Sequence, residues 1–351
     1  MEYMTTLKLC LLILSLFLTG CSNSTSSNDV KNTSWVFVAN EGEPCWNEFG
    51  DDCSLPGNGS ISMIDDNGNT KQINNVGYIV HSLEVYKDKL YVIVNQEHKL
   101  LTYIINSNGI TLENTIITNN SNPREMTVVD DMIYFTNWDT QDIKIFNTNT
   151  NQIEEITIPI NGRPEDIIYD GTNIWVSVPE INQYDQNQGT QIAMIDPISN
   201  IILEYKEVGR GPVSLELFNN EIYISRTYFD EMWNPSYGTS KIGDEIMINP
   251  YGSGAACGGA IVSFNNQIYR SYEGGIAPLK PNLDIDSINR LGNFIQDNIY
   301  HVEIINDNIW FCITNSTDTH LIKVLNSNGH EIASYNVGSF PGDLASWKLS
   351  E

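Results

Sequence analysis

Basic residues are scarce in this chain: 18 Lys and Arg stand against 44 Asp and Glu, a formal charge of −26 over 351 residues. No cluster of lysines or arginines is present to release counterions from a phosphate backbone, so no nucleic-acid partner is expected. Charged residues amount to 18% and hydrophobic ones to 41%, a balance that fits neither a disordered nor a fibrous chain. The acidity suits solubility of an exported protein, with cation binding as the second reading. Catalytic signatures are missing as well: there is no GxSxG elbow, no His-Glu zinc helix motif and no phosphate-cradling loop. No spacing of the 6 cysteines resembles a zinc motif.

Long apolar runs are absent except at residues 9–18, which follow Lys8 and are too short for a comfortable membrane span. Residues 1–20 therefore read as a signal peptide, removed from fold reasoning. The run ends in Leu18-Thr19-Gly20-Cys21, which resembles a bacterial lipobox. That resemblance implies lipidation of Cys21, a polar tether over residues 21–32 and a membrane anchor, with secretory cleavage beside a stray cysteine as the alternative. Ser22 rather than Asp follows the cysteine, which implies sorting to the outer membrane; the surface and periplasmic faces stay open. Cys45 and Cys53 lie eight apart in one loop and, in an oxidising compartment, are expected to pair. Cys312 reads as a buried strand thiol, with a bridge to Cys257 as the weaker alternative.

What is abundant is a repeat. Residues 123–162 contain four short runs rich in Ile, Val, Tyr and Phe, separated by polar, turn-prone Asp, Asn and Thr. Aligning the strand that carries an aromatic after an aliphatic and a turn residue gives Phe37, Tyr91, Tyr134, Trp175, Tyr223, Tyr269 and Trp310, spaced 54, 43, 41, 48, 46 and 41 residues. Strand-only repeats of about 40–50 residues are propeller blades, so seven blades of four antiparallel strands are expected over residues 33–351. Eight residues before six of these markers an apolar residue opens a strand: Leu83, Met126, Ile167, Leu215, Ile261 and Val302. The first blade has no such opening strand, whereas residues 343–349 repeat the pattern without an aromatic strand of their own. They are expected to join blade one and close the ring, leaving no open edge.

Ile133-Tyr134-Phe135-Thr136-Asn137, then Ile143-Lys144-Ile145-Phe146-Asn147, resembles YVTN/YncE-type propeller repeats, as does Gly162-Arg163-Pro164. Phe37-Val38-Ala39-Asn40-Glu41-Gly42 followed by Gly59-Ser60-Ile61-Ser62 resembles the opening of the DUF5074 surface lipoproteins of Bacteroidetes. BtuG-type proteins belong to that group; they bind corrinoids and pass them to a TonB-dependent transporter. The resemblance implies a corrinoid or similar cofactor as ligand and such a transporter as partner. The insertion holding Cys45 and Cys53 departs from the short form of that loop.

Propeller ligands usually sit at one mouth of the central channel, where the loops before each first strand and after each second strand converge. Long stretches after markers, at residues 40–59, 179–190 and 227–257, carry Trp46, Tyr228 and Trp233, which serve either a ligand or the packing of the loops themselves. Trp138, just past its own strand in a short loop, is a further binding candidate. The approaches to the first strands place His81, Arg124, Glu125, Glu165, Asp166, Ser214, His301 and Asp343 at equivalent positions, a mixed ring around the channel. His81 and His301 are also the imidazoles placed to meet a metal, although solvated or structural roles are commoner for either. Asp65-Asp66-Asn67-Gly68-Asn69 reads as a hairpin turn rather than a calcium loop. Ligand binding is the first functional reading. A hydrolase or lyase of the lactonase type, with carboxylate and His at the rim, is the second; an adhesion or protein-interaction module is the third.

Overall fold

The computed structural model describes residues 33–43, 59–254, 259–295, 298–315 and 319–349. Cys21, Cys45, Trp46, Cys53 and Cys257 lie outside the described residues, and with them the lipidation site, the expected disulfide and one candidate aromatic.

The repeats fold as seven antiparallel sheets. Their first strands are Pro341–Lys348, Val80–Tyr86, Pro123–Val129, Ile167–Tyr169, Pro212–Phe218, Ile261–Phe264 and Ile299–Ile305. Each touches the first strands of the neighbouring blades, so these seven line the axis of a closed ring. All seven aromatic markers fall on second strands, and the apolar column falls on first strands. Proline starts three of the first strands (Pro123, Pro212, Pro341), where a residue without an N–H cannot extend the preceding strand.

Ring closure is formed by the end of the chain. Pro341–Lys348 pairs antiparallel with Ser34–Asn40, Trp35 opposite Trp347 and Phe37 opposite Ala345. Blade one thus takes its innermost strand from the C-terminal end and the other three from the N-terminal part.

Alternation along each strand sends one set of side chains into the seam with the preceding blade and the other into the seam with the following one. Apolar clusters fill the seams of blades one–two, two–three, three–four, four–five, six–seven and seven–one. Among the described residues no such cluster fills the seam between blades five and six.

Two local expectations change. Blade six has three regular strands, and its outer place is taken by an irregular segment that touches the sheet through the single bridges Ile276–Leu291 and Leu279–Ile285. Residues 227–257 are not one long loop. Glu221–Phe229, Pro235–Ile242 and Ile246–Ser253 form extended ladders around a tight turn closed by Asp230, whose carboxylate accepts the Met232 and Asn234 N–H groups. Asp65 likewise closes a hairpin, accepting the N–H groups of Asn67 and Asn69 at 2.9 and 2.8 Å. Cys312 is a free, fully buried thiol among the described residues, as the strand reading expects.

Candidate functional site

Every first strand begins at the same end of the channel and every second strand returns to it, so this mouth gathers side chains far apart in sequence. A cavity of about 550 Å³ opens there. His81, Arg124, Glu165, Asp166, His301 and Asp343 line it, drawn from five blades. Glu125 and Ser214 belong to the same wall, as do Glu41, Glu216 and Glu303. A second concavity, of about 600 Å³, lies beside the irregular outer segment of blade six. It shares no residue with the ring of charges.

The charges interlock. Arg124 grips Glu165 through two parallel hydrogen bonds, Nε to Oε2 at 3.1 Å and Nη2 to Oε1 at 2.6 Å, the fork geometry that a guanidinium matches to a carboxylate. His81 lies between two glutamates, Nδ1 3.4 Å from Glu41 and Nε2 3.2 Å from Glu125. Burial and the nearby Arg124 charge oppose protonation of His81, but bonding to Glu125 and Glu41 outweighs them and lifts its pKa to about 9. Burial pushes Glu125 up, and His81 overcomes this to hold it below the usual carboxylate range. At neutral pH the set is therefore imidazolium between carboxylates.

Two aspartates at equivalent positions clip neighbouring blades together. Asp166 accepts the Leu215 N–H of the next blade at 2.6 Å and its own strand's Ile167 N–H at 2.7 Å. Asp343 does the same with Leu83 at 2.6 Å and Leu344 at 2.8 Å. Burial, then the charge of Glu125, raises Asp166 to about 8, and the same causes raise Asp343 well above the ordinary value. Deeper in the channel, burial raises Glu84 and Glu216 to about 7.

His301, Glu303 and Asp343 bring one nitrogen and two oxygens within 4.8 Å of one another. One imidazole and two carboxylates form a donor set suited to a small divalent cation, and Asp343 keeps lone pairs beyond its two backbone bonds.

The candidate aromatics separate from this ring. Trp138 lies against two guanidiniums, Arg124 at 3.9 Å and Arg163 at 4.3 Å from the ring centroid; it orients Arg124 and is not among the cavity's lining residues. Tyr228 meets Arg210 at 5.1 Å. Trp233 is 50% exposed and packs on Phe229 at 5.7 Å. Neither lines the cavity, whereas Phe229 does.

The first-strand column holds a further signal that sequence reasoning missed. Glu84, Glu216 and Glu303 each follow a column residue (Leu83, Leu215, Val302) by one, on the strand face opposite to it. Glu41 offers no comparable signal, because it lies in the loop after a second strand and meets His81 only where blades one and two pack together.

No protein-family model matches the chain, and no curated protein does. Solved propellers resemble it in fold. A Bacteroides fragilis protein provisionally assigned as a 6-phosphogluconolactonase is 13% identical with a TM-score of 0.60, over 91% of this chain and 99% of that one. Virginiamycin B lyase from Staphylococcus aureus is 14% identical with a TM-score of 0.54, over 74% of this chain and 84% of that one. Apo AztD from Citrobacter koseri is 10% identical with a TM-score of 0.56, over 90% and 98%. At these identities the likeness is one of fold.

Proposed function

We propose that this propeller binds a polar small molecule at the charged mouth of its channel and works as a ligand-capturing lipoprotein of the bacterial envelope. The observation that supports capture is the cavity of about 550 Å³ with charged groups already held in place, Arg124 on Glu165 and His81 between Glu41 and Glu125. Donors and acceptors fixed before the ligand arrives lose little entropy on binding. Anchoring through Cys21, an outer-membrane location and delivery to a TonB-dependent transporter rest on the lipobox and on the resemblance of the chain's opening residues.

A corrinoid is the ligand that the resemblance favours. A corrin ring would lie across the mouth, its peripheral amides facing the charged rim. The test is titration of the purified protein with cobalamin and with cobinamide, followed by calorimetry and by the corrin absorbance bands. Saturable heat with a spectral shift supports the reading. Absence of both at micromolar protein removes corrinoids as ligands.

The cluster of His301, Glu303 and Asp343 supports a second reading, a metal-assisted lyase or hydrolase. A divalent ion held there would polarise a carbonyl or acidify a bound water, while Arg124 would orient an anionic substrate. Saturable Mn²⁺ binding that is lost in Glu303→Gln, accompanied by ester or lactone turnover, supports it. Unchanged Mn²⁺ affinity in that variant removes it.

A further inference from the structure

The chain has six arginines. Arg124, Arg163 and Arg290 each pair with a carboxylate. Arg210, Arg226 and Arg270 pair with none among the described residues, although acids outnumber bases by more than two to one. All three gather around the mouth end of blade five.

Arg270 is the most unusual of them. It directly follows the marker Tyr269, and the equivalent residues in the other six blades are Val38, Val92, Phe135, Val176, Ile224 and Phe311, all buried and apolar. Arg270 is 0% exposed in the same place. Its seam, between blades five and six, holds no apolar cluster among the described residues. Polar groups stand there instead. The rings of Tyr237 and Tyr251 lie 5.6 and 5.9 Å from the guanidinium, and the buried Thr239 hydroxyl bonds Tyr251. One nitrogen, Nη2, donates to the Arg226 carbonyl at 3.3 Å; Nε and Nη1 have no partner and no solvent. Arg226 is buried nearby with its own Nε and Nη2 unpaired, the same edge through which Arg124 holds Glu165. A guanidinium does not shed its proton to escape such a site, and a buried charge without a partner is strongly unfavourable.

The seam adjoins the mouth. Thr227 and Gly259 line the cavity, and a Cβ at Gly259 would meet nothing nearer than the Ser225 and Thr227 hydroxyls at 3.9 Å. We propose that Arg270 is the core of an oxyanion site between blades five and six, which takes a carboxylate or phosphate group of a small molecule, with Arg226 adding its positive charge. An oxyanion supplies the missing counter-charge and accepts from one of the idle nitrogens, Nε or Nη1, together with the second N–H of the adjoining Nη2. This site stands independently of what the charged ring at the channel axis binds.

The experiment is calorimetric titration of the purified protein with inorganic phosphate and, separately, with malonate, against sodium chloride at matched ionic strength. The expected result is saturable binding of at least one of them, at least tenfold weaker in Arg270→Lys, which keeps the charge and loses the fork. Arg270→Met installs the apolar character of the sibling blades. It is expected to melt no lower than the wild type in anion-free buffer and to lose the rise in melting temperature that the bound anion gives the wild type. Heat that sodium chloride reproduces, or binding unchanged in Arg270→Lys, overturns the site. The titrations of wild type and Arg270→Lys decide the matter even where Arg270→Met does not fold.

Discussion

Replacing Trp347 by alanine tests ring closure with one side chain. Trp347 is 4% exposed and packs in the seam between blades one and two with Trp35, Leu83 and Leu90, while its Nε1 donates to Asp88 Oδ1 at 2.9 Å. Emptying a buried tryptophan site costs about 3–5 kcal/mol. The lost hydrogen bond adds little, because Asp88 can turn to water. Shifts of roughly 2–4 °C per kcal/mol apply to domains somewhat smaller than this one, so the melting temperature should fall by about 10 °C. Ile198→Ala is the control: this side chain is 93% exposed, and its loss should change stability by less than about 0.5 kcal/mol. Both are read by circular dichroism melting at one protein concentration and one pH. Ending the chain after Val337 removes the whole innermost strand of blade one, exposing the edge of Ser34–Asn40, and should abolish cooperative melting. A Trp347→Ala protein that melts within about 2 °C of the wild type, or a shortened chain that melts like the full one, would refute closure by the last strand.

Stability should fall as pH rises from about 5 to 9. Asp166, raised to about 8, and Glu84 and Glu216, raised to about 7, favour the fold fully only below their unfolded values and lose that contribution through their folded ones. His81, raised to about 9, adds stability below its unfolded value that is lost through pH 9; melts across this range should show a smaller slope in Asp166→Asn, and parallel curves would sink the assignment. Glu165→Gln leaves the Arg124 guanidinium without its carboxylate at a largely buried site and should cost about 3 kcal/mol in urea unfolding. Trp138→Ala, which removes the ring beneath two guanidiniums, should lower stability by about 2 kcal/mol, whereas Trp233→Ala should cost less than about 1 kcal/mol. Neither is expected to abolish binding of a mouth ligand; total loss in Trp233→Ala would return that ring to the site.

Blade number, strand roles and closure were legible because they rest on local chemistry. Alternation of Ile, Val, Tyr and Phe with turn residues sets each strand, and a repeat seen seven times averages out the irregularities of any one copy. The leftover half-repeat at residues 343–349 could only be a strand in search of a sheet. Blade six resisted because its outer segment contains Pro281 and few β-forming residues. The extended hairpin after Arg226 reads as loop in the sequence because its Tyr, Gly and Pro residues serve strand and turn alike.

The site divides in the same way. That His81, Arg124, Glu165, Asp166, His301 and Asp343 share one level around an axis follows from their common place in the repeat, which the sequence alone determines. Which of them meet does not. The fork of Arg124 on Glu165 and the clasp of His81 between Glu41 and Glu125 join residues of different blades, as do the clips from Asp166 to Leu215 and from Asp343 to Leu83. Such contacts depend on how seven sheets pack around a ring. The same holds for Arg270: its departure from the apolar column is visible in the chain, but its isolation from every described carboxylate is a property of the assembled seam. Periodicity carries information about position along a strand; partners are decided by packing between strands that the chain visits many residues apart.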